Sequence, residues 1–238
     1  MGFDVAICCI ALNEELYIDE WLDHHLNKLG FNHVYVYDNS DDFVLKNKEV
    51  DTRIKVIHFP GPLKQVPAYN HFLENYGKKH DWCAFIDVDE FFVLKKHATI
   101  QEYLLEESRG LSAPVAIGVN WVLFGSEGHE KYEPRPVMER FTKGELNHHI
   151  KSIARTRGLP SPRQVSFENC HFPKDTPITV HAPNGTTHVW NTPFNPDGDT
   201  SIIQLNHYFC KSREEFEKKI ARGRADTTDM RTMSEFFL

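Results

Sequence analysis

Trp82-Cys83-Ala84-Phe85-Ile86-Asp87-Val88-Asp89-Glu90 is a short apolar run that ends in three acids. Five consecutive apolar residues read as a buried strand, and an abrupt acidic end places polar groups at its carboxyl edge. Working back, Val5 to Ala11 is a second apolar run, Val34 to Tyr37 a third and Lys55 to Phe59 a fourth. Asn13, followed by Glu14 and Glu15, looks like the start of a helix that carries Ile18, Leu22, Leu26 and Leu29 at helical spacing and stops at Gly30. Gln65 to Tyr76 reads as a further helix. Strand and helix thus alternate over residues 1–95, the pattern of an α/β fold with a largely parallel sheet. Such sheets place their sites at the carboxyl ends of the strands. Asn13 with Glu14, Asp38 to Ser40 and Asp87 to Glu90 would meet there.

Thr99 and Glu102 suggest a capping box for a helix running to Ser108, with Gly110 behind it. Val115 to Phe124 is strand-like. From Gly125 to Pro196 the chain is rich in Pro, Gly, His and Asn, as a mixed-sheet half or loops over a cleft would be. Ser212 and Glu215 suggest another capping box, on a helix ending at Gly223. The expectation is one domain over 1–238, with a nucleotide-sugar-binding half to residue 95 and an acceptor-side half beyond it.

The 238 residues are 40% hydrophobic and 26% charged, a globular composition. A net charge of -7 with no basic stripe argues against a nucleic-acid partner. The five cysteines include no Cys-x-x-Cys pair, which favours a reducing compartment. No segment approaches the ~20 apolar residues of a membrane span. The expected setting is cytoplasmic, or a soluble domain of a larger protein.

Asp87 and Asp89 stand two apart, so on an extended backbone their carboxylates share a face. A divalent cation relieves their repulsion, and Mg²⁺ or Mn²⁺ suits oxygen ligands shared with substrate phosphates. His207 could add a third ligand and Lys211 a point charge for phosphate. Trp121 to Gly125 could form a sugar platform, although core packing is the commoner role of such residues. Dinucleotide, P-loop, zinc-protease and nucleophile-elbow motifs are all absent.

Together these segments resemble the family 2-like and family 92-like glycosyltransferases of the GT-A fold. The resemblance is carried by Asn13-Glu14 with Glu20-Trp21 and His25; Tyr37 to Ser40; Gln65 with Tyr69-Asn70; Asp87 to Phe91; Trp121 to Ser126; His148 with Lys151; and His207-Tyr208 with Lys211-Ser212. It implies transfer of a sugar from a nucleotide-diphosphate donor, a UDP-sugar being favoured, to a hydroxyl of a carbohydrate acceptor. Asn13, Glu14, Asp38, Gln65 and Asn70 would then lie on the donor side. Asp87, Asp89 and His207 would hold Mn²⁺ or Mg²⁺, and Lys211 would steady the leaving diphosphate. Trp121, Phe124, His148 and Lys151 would border the acceptor side. Members of this type usually invert the anomeric centre, which calls for a general base; Glu127 is the first candidate and Glu90 the second. A catalytically silent sugar- or nucleotide-binding module would keep the fold and the aromatic face, but the two aspartates, His207 and an acceptor-side acid argue against it; a metal-dependent nucleotidyltransferase or phosphodiesterase would share the acidic pair.

Overall fold

A computed structural model describes residues 2–109, 116–157, 165–174, 176, 178–182 and 186–236. Among the described residues, ten strands form one mixed sheet in the order β3-β2-β1-β4-β7-β6-β10-β5, with β8 beside β6 and β9 beside β8. The parallel block is β1 (Val5–Ala11), β2 (His33–Asp38), β3 (Ile54–His58) and β4 (Trp82–Phe85). All seven residues of β1 are buried. Val5, Ile7 and Cys9 pack into one core while Ala6, Cys8 and Ile10 pack into a second. Helical layers on both faces therefore explain why the run is continuously apolar rather than alternating.

The first connection differs from expectation. Asn13 does not cap a helix: its backbone is left-handed, with φ 53°, and its N–H donates to Ser40 Oγ. The helix α1 is only Ile18–Leu22, and it continues as a π-turn over Asp23–Lys28. That wider winding turns both His24 and His25 inward. His24 Nε2 donates to the Phe92 carbonyl at 2.8 Å, and His25 Nε2 accepts the Phe92 N–H. Trp21 Nε1 donates to the Glu90 carbonyl at 2.8 Å. Gly30 ends the segment at φ 78°, as its lack of a Cβ permits.

These contacts hold β5 (Glu90–Leu94), a strand the sequence reading did not separate from the acidic cluster. It pairs antiparallel with β10 (Ile203–His207), which runs parallel to β6 (Ala116–Phe124). The twelve-residue β7 (Gly144–Arg155) lies antiparallel between β4 and β6. Beside β6, β8 (Ile178–Ala182) is parallel and carries β9 (Thr186–Trp190). One sheet thus joins the two halves of the chain.

Of the helices, α2 (Gln65–Asn75) covers the parallel block, and α3 (Ile100–Glu107) is capped by Thr99 Oγ1 accepting the Glu102 N–H. The reciprocal bond goes to Ala98 rather than Thr99, which makes the box incomplete. Gly110 and Val115 fall outside the described residues. The short α4 (Val137–Arg140) has its first N–H groups satisfied by Glu20. The last helix, α5 (Arg213–Arg222), has the full Ser212–Glu215 capping box.

Glu215 also receives both guanidinium nitrogens of Arg140, at 2.8 and 3.0 Å, and the Tyr17 hydroxyl. Burial alone would raise this carboxyl, but Arg140, Ser212 and Tyr17 outweigh it and bring it from 4.5 to about 2. A depressed carboxyl contributes stability above its unfolded value and loses it as pH falls towards the folded one. We expect Glu215→Gln to cost about 3–5 kcal/mol near neutrality, because it leaves Arg140 buried and unpaired. In denaturant titrations the gap to wild type should narrow between about pH 4.5 and 2. A gap that stays constant across that window would refute the linkage.

Candidate functional site

A cavity of about 550 Å³ opens at the carboxyl ends of β1 and β4. That volume suits a small-molecule ligand. Asp87 and Asp89 line it, but they sit in a tight turn between β4 and β5, closed by Glu90 N–H donating to the Asp87 carbonyl, not on an extended strand. Tyr208 N–H donates to the Asp89 carbonyl at 2.9 Å, which ties the turn to the end of β10.

Four of the five lining acids meet a base. Asp87 accepts from Gln65 and from Lys151 Nζ at 2.9 Å. Asp89 accepts from Lys219 Nζ at 2.6 Å, and its other oxygen lies 3.6 Å from His207 Nε2. Glu14 pairs with Arg222 at 2.5 Å, and Glu235 pairs with Arg224 at 2.7 Å. Burial would raise the Asp89 carboxyl, but Lys219, His207 and Lys211 hold it well below the usual carboxylate range. Arg231 adds a fifth lining cation to Lys151, Lys219, Arg222 and Arg224. Four of these five come from α5 and the segment after it.

On the opposite wall the Trp121 ring lies 4.3 Å from that of His207 and 4.9 Å, stacked, from that of His149; His171 is 5.5 Å away. Asn147 Oδ1 accepts both the backbone N–H and Nδ1–H of His149. His171 Nδ1–H donates to the Ile150 carbonyl. In the neutral form each ring therefore keeps a lone pair on Nε2. Five buried lining atoms have no hydrogen-bond partner among the described residues: Glu14 Oε2, Trp121 Nε1, His207 Nδ1, Arg224 Nε and Arg231 Nε. Buried polar atoms are rarely left so, and five of them belong to residues of this one lining.

Of the residues expected here, Glu14, Gln65, Asp87, Asp89, Trp121, Lys151 and His207 line the cavity. The others lie elsewhere, each for a visible reason. Asp38 is buried and accepts the Ser40 and Leu45 N–H groups. Asn70 bonds both ways with the Phe167 backbone. Asn13 is exposed beyond β1. Phe124 packs on Tyr208 in the core, and His148 points to solvent because strand alternation gives its neighbour His149 the cavity. Lys211 sets its ammonium 3.8 Å from the Tyr17 ring centroid, while Lys219 meets Asp89.

Neither expected base reaches the cavity. Glu127 belongs to a separate surface hollow, where its carboxylate accepts the Thr142 and Lys143 N–H groups. Glu90 is wholly buried beneath the acidic turn, accepts the Asp87 N–H and lies 4.0 Å from Lys151. The residues missed in sequence were His149, His171 and the cations of α5. Their signal was Glu215, Lys219 and Arg222 at i, i+4 and i+7, on the stripe that also carries Phe216.

The family model for glycosyltransferase family 92 matches residues 3–234. The chain belongs to glycosyltransferase family 92. A family 92 protein of Ricinus communis is 24% identical over 226 residues, covering 92% of this chain and 38% of that one. A family 92 protein of Oryza sativa subsp. japonica is 25% identical over 232 residues, covering 94% and 36%. The chain thus spans less than two-fifths of the length of these family 92 relatives. Among the described residues no helix is long and apolar enough to cross a membrane. Two groups of side chains outside the cavity, Asp4 with His33 and His80, and His97 with Glu106 and Glu107, could also hold a cation.

Burial, aided by the charge of Lys151, takes His171 down from 6.5 to about 4. We expect its ring to stay neutral through mildly acidic pH, with its nitrogen resonances titrating near pH 4 in a ¹⁵N spectrum. A midpoint near 6.5 would contradict the buried placement.

Proposed function

We propose that this chain is the catalytic part of a metal-dependent glycosyltransferase that moves a sugar from a nucleotide-diphosphate donor, a UDP-sugar being favoured, to a hydroxyl of a glycan acceptor with inversion. The observation that carries the reading is the cavity's pairing of an acidic turn with five cations, at the carboxyl edge of a parallel sheet in a family 92 chain.

The donor set suits Mn²⁺ or Mg²⁺. Asp87 and Asp89 offer carboxylate oxygens to the cavity, and the 3.6 Å between His207 Nε2 and Asp89 Oδ1 is too long for a hydrogen bond yet close to the spacing of two ligands on one cation. A bound cation supplies Lewis-acid stabilisation to the departing diphosphate. The protein's own cations supply the rest: Lys219, Arg222, Arg224 and Arg231 converge from one segment and offer their charge to phosphate oxygens. Glu14 faces the nucleoside side, and Trp121 presents a flat apolar surface to a sugar. His149 is the better-placed proton acceptor for the incoming hydroxyl. Its tautomer leaves Nε2 free, and burial keeps its pKa below the ordinary histidine value.

Asp89→Asn should reduce transfer on the order of 100-fold and abolish the Mn²⁺ dependence of UDP binding in calorimetry. Glu127→Gln should leave both unchanged within about twofold. Undiminished transfer by Asp89→Asn in EDTA would sink the metal assignment, and a product with retained anomeric configuration by NMR would sink the single displacement.

A further inference from the structure

The parallel strands that aim their carboxyl ends at the cavity bring a second polar group together at their amino ends. Asp4 immediately precedes β1, His33 opens β2, and His80 lies two residues before β4. The register pairs Ala6 with His33 and Val5 with Trp82, so the three positions are neighbours across β2-β1-β4. Their ligand atoms lie within 4.8 Å of one another.

We propose that Asp4, His33 and His80 form a zinc site, with its fourth position open to solvent, on the face of the sheet edge opposite the cavity. Two imidazoles and one carboxylate favour Zn²⁺ over the hard oxygen-seeking Mg²⁺ or Mn²⁺. The proposal stands apart from the transferase reading and uses none of its residues.

Three features of the surroundings support it. The first is an oriented ring: His80 Nδ1–H donates to Asp4 Oδ1 at 2.8 Å and Nε2 accepts from the Tyr35 hydroxyl at 2.9 Å, so when zinc takes the Nδ1 lone pair the ring proton moves to Nε2 and is donated to the Tyr35 oxygen. This is the outer-shell bond that metal-ligating histidines commonly make. The second is rigidity. Asp4 is pinned by its N–H to Asp81 Oδ2 at 2.9 Å and by its carbonyl to the Asp81 and Trp82 N–H groups, and the His80 ring lies nearly parallel to Phe72. The third is an unused ligand. The His33 ring lies 5.1 Å from that of His80, is only half-buried, and has no hydrogen-bond partner among the described residues. Nδ1 of His80 and Oδ1 of Asp4 are 2.8 Å apart. Tetrahedral ligands at ~2.0–2.1 Å from zinc sit about 3.3 Å apart, so binding asks this pair to open by about half an ångström. The half-exposed Asp4 side chain can supply that movement.

The test is calorimetric titration of the metal-stripped chain with Zn²⁺, backed by Co²⁺ substitution read in visible absorption. Wild type should bind one equivalent that His33→Ala loses and that Asp4→Asn weakens at least tenfold. His97→Ala, in the other His–acid group, should bind it within twofold of wild type. Zinc at one hundred times its Kd should raise the thermal midpoint by roughly 5 °C or more, an increase absent from His33→Ala. In the unmutated chain, one equivalent should shift the ring ¹⁵N resonances of His33 and His80. Unchanged binding in either Asp4→Asn or His33→Ala, or shifts confined to histidines of the cavity, would overturn the proposal.

Discussion

The ion pair between Asp89 and Lys219 is the constraint on which the site's geometry depends. Both side chains are buried, so neither charge has water to fall back on. Desolvation of two ions is repaid only by close contact and by further hydrogen bonds. The Lys219 ammonium has both: Asp89 at 2.6 Å and the Phe209 carbonyl at 2.9 Å, above the Phe209 ring. The pair thereby fastens the β4–β5 turn to a helix 130 residues later in the chain. The Tyr208 N–H to Asp89 carbonyl bond fastens the same turn to β10. Without these ties the acidic turn would have its under-frame of Trp21, His24 and His25 but no roof.

The cavity that results is lined by charges of both signs that nearly neutralise one another. Asp87 with Lys151, Asp89 with Lys219, Glu14 with Arg222 and Glu235 with Arg224 are four acid–base couples around one space. Such a lining is stable when nothing is bound, yet it would present both signs to the cation and diphosphate of the proposed donor. Placing most of its positive charge on α5 and the following segment makes the C-terminal part of the chain a wall of the site. This also reconciles an acidic protein of net charge -7 with an anionic ligand, since the local balance differs from the global one.

The parallel half of the fold was legible because fully buried strands leave a simple mark: Val5 to Ala11 and Trp82 to Phe85 are apolar runs bounded by polar residues. The acidic cluster at the end of β4 was legible for the same reason, although its turn was not. The mixed half was not. β10 carries Gln204, Asn206 and His207 among apolar residues, β5 opens on Glu90, and their pairing is set by contacts distant in sequence. The lysine at Asp89 illustrates the difficulty. Lys211 and Lys219 are equally plausible by composition, and only the left-handed backbone at Lys211, φ 54°, turns it towards Tyr17. Glu127 misled in a similar way. A carboxylate after an aromatic strand resembles a base until the Thr142 and Lys143 N–H groups are found to occupy it. Glu20, Trp21 and His25 carried part of the family resemblance, yet they contact backbone of β5 and α4 and work by holding the turn in place.

Anomalous scattering from a crystal grown with MnCl₂ and UDP tests the central claim most directly. The account predicts a manganese peak in the cavity, bonded to Asp89 and within ligand distance of Asp87 or His207, with the diphosphate reaching Lys219, Arg222, Arg224 or Arg231. A nucleotide seated away from the β4–β5 turn, or a manganese peak only outside the cavity, would contradict it.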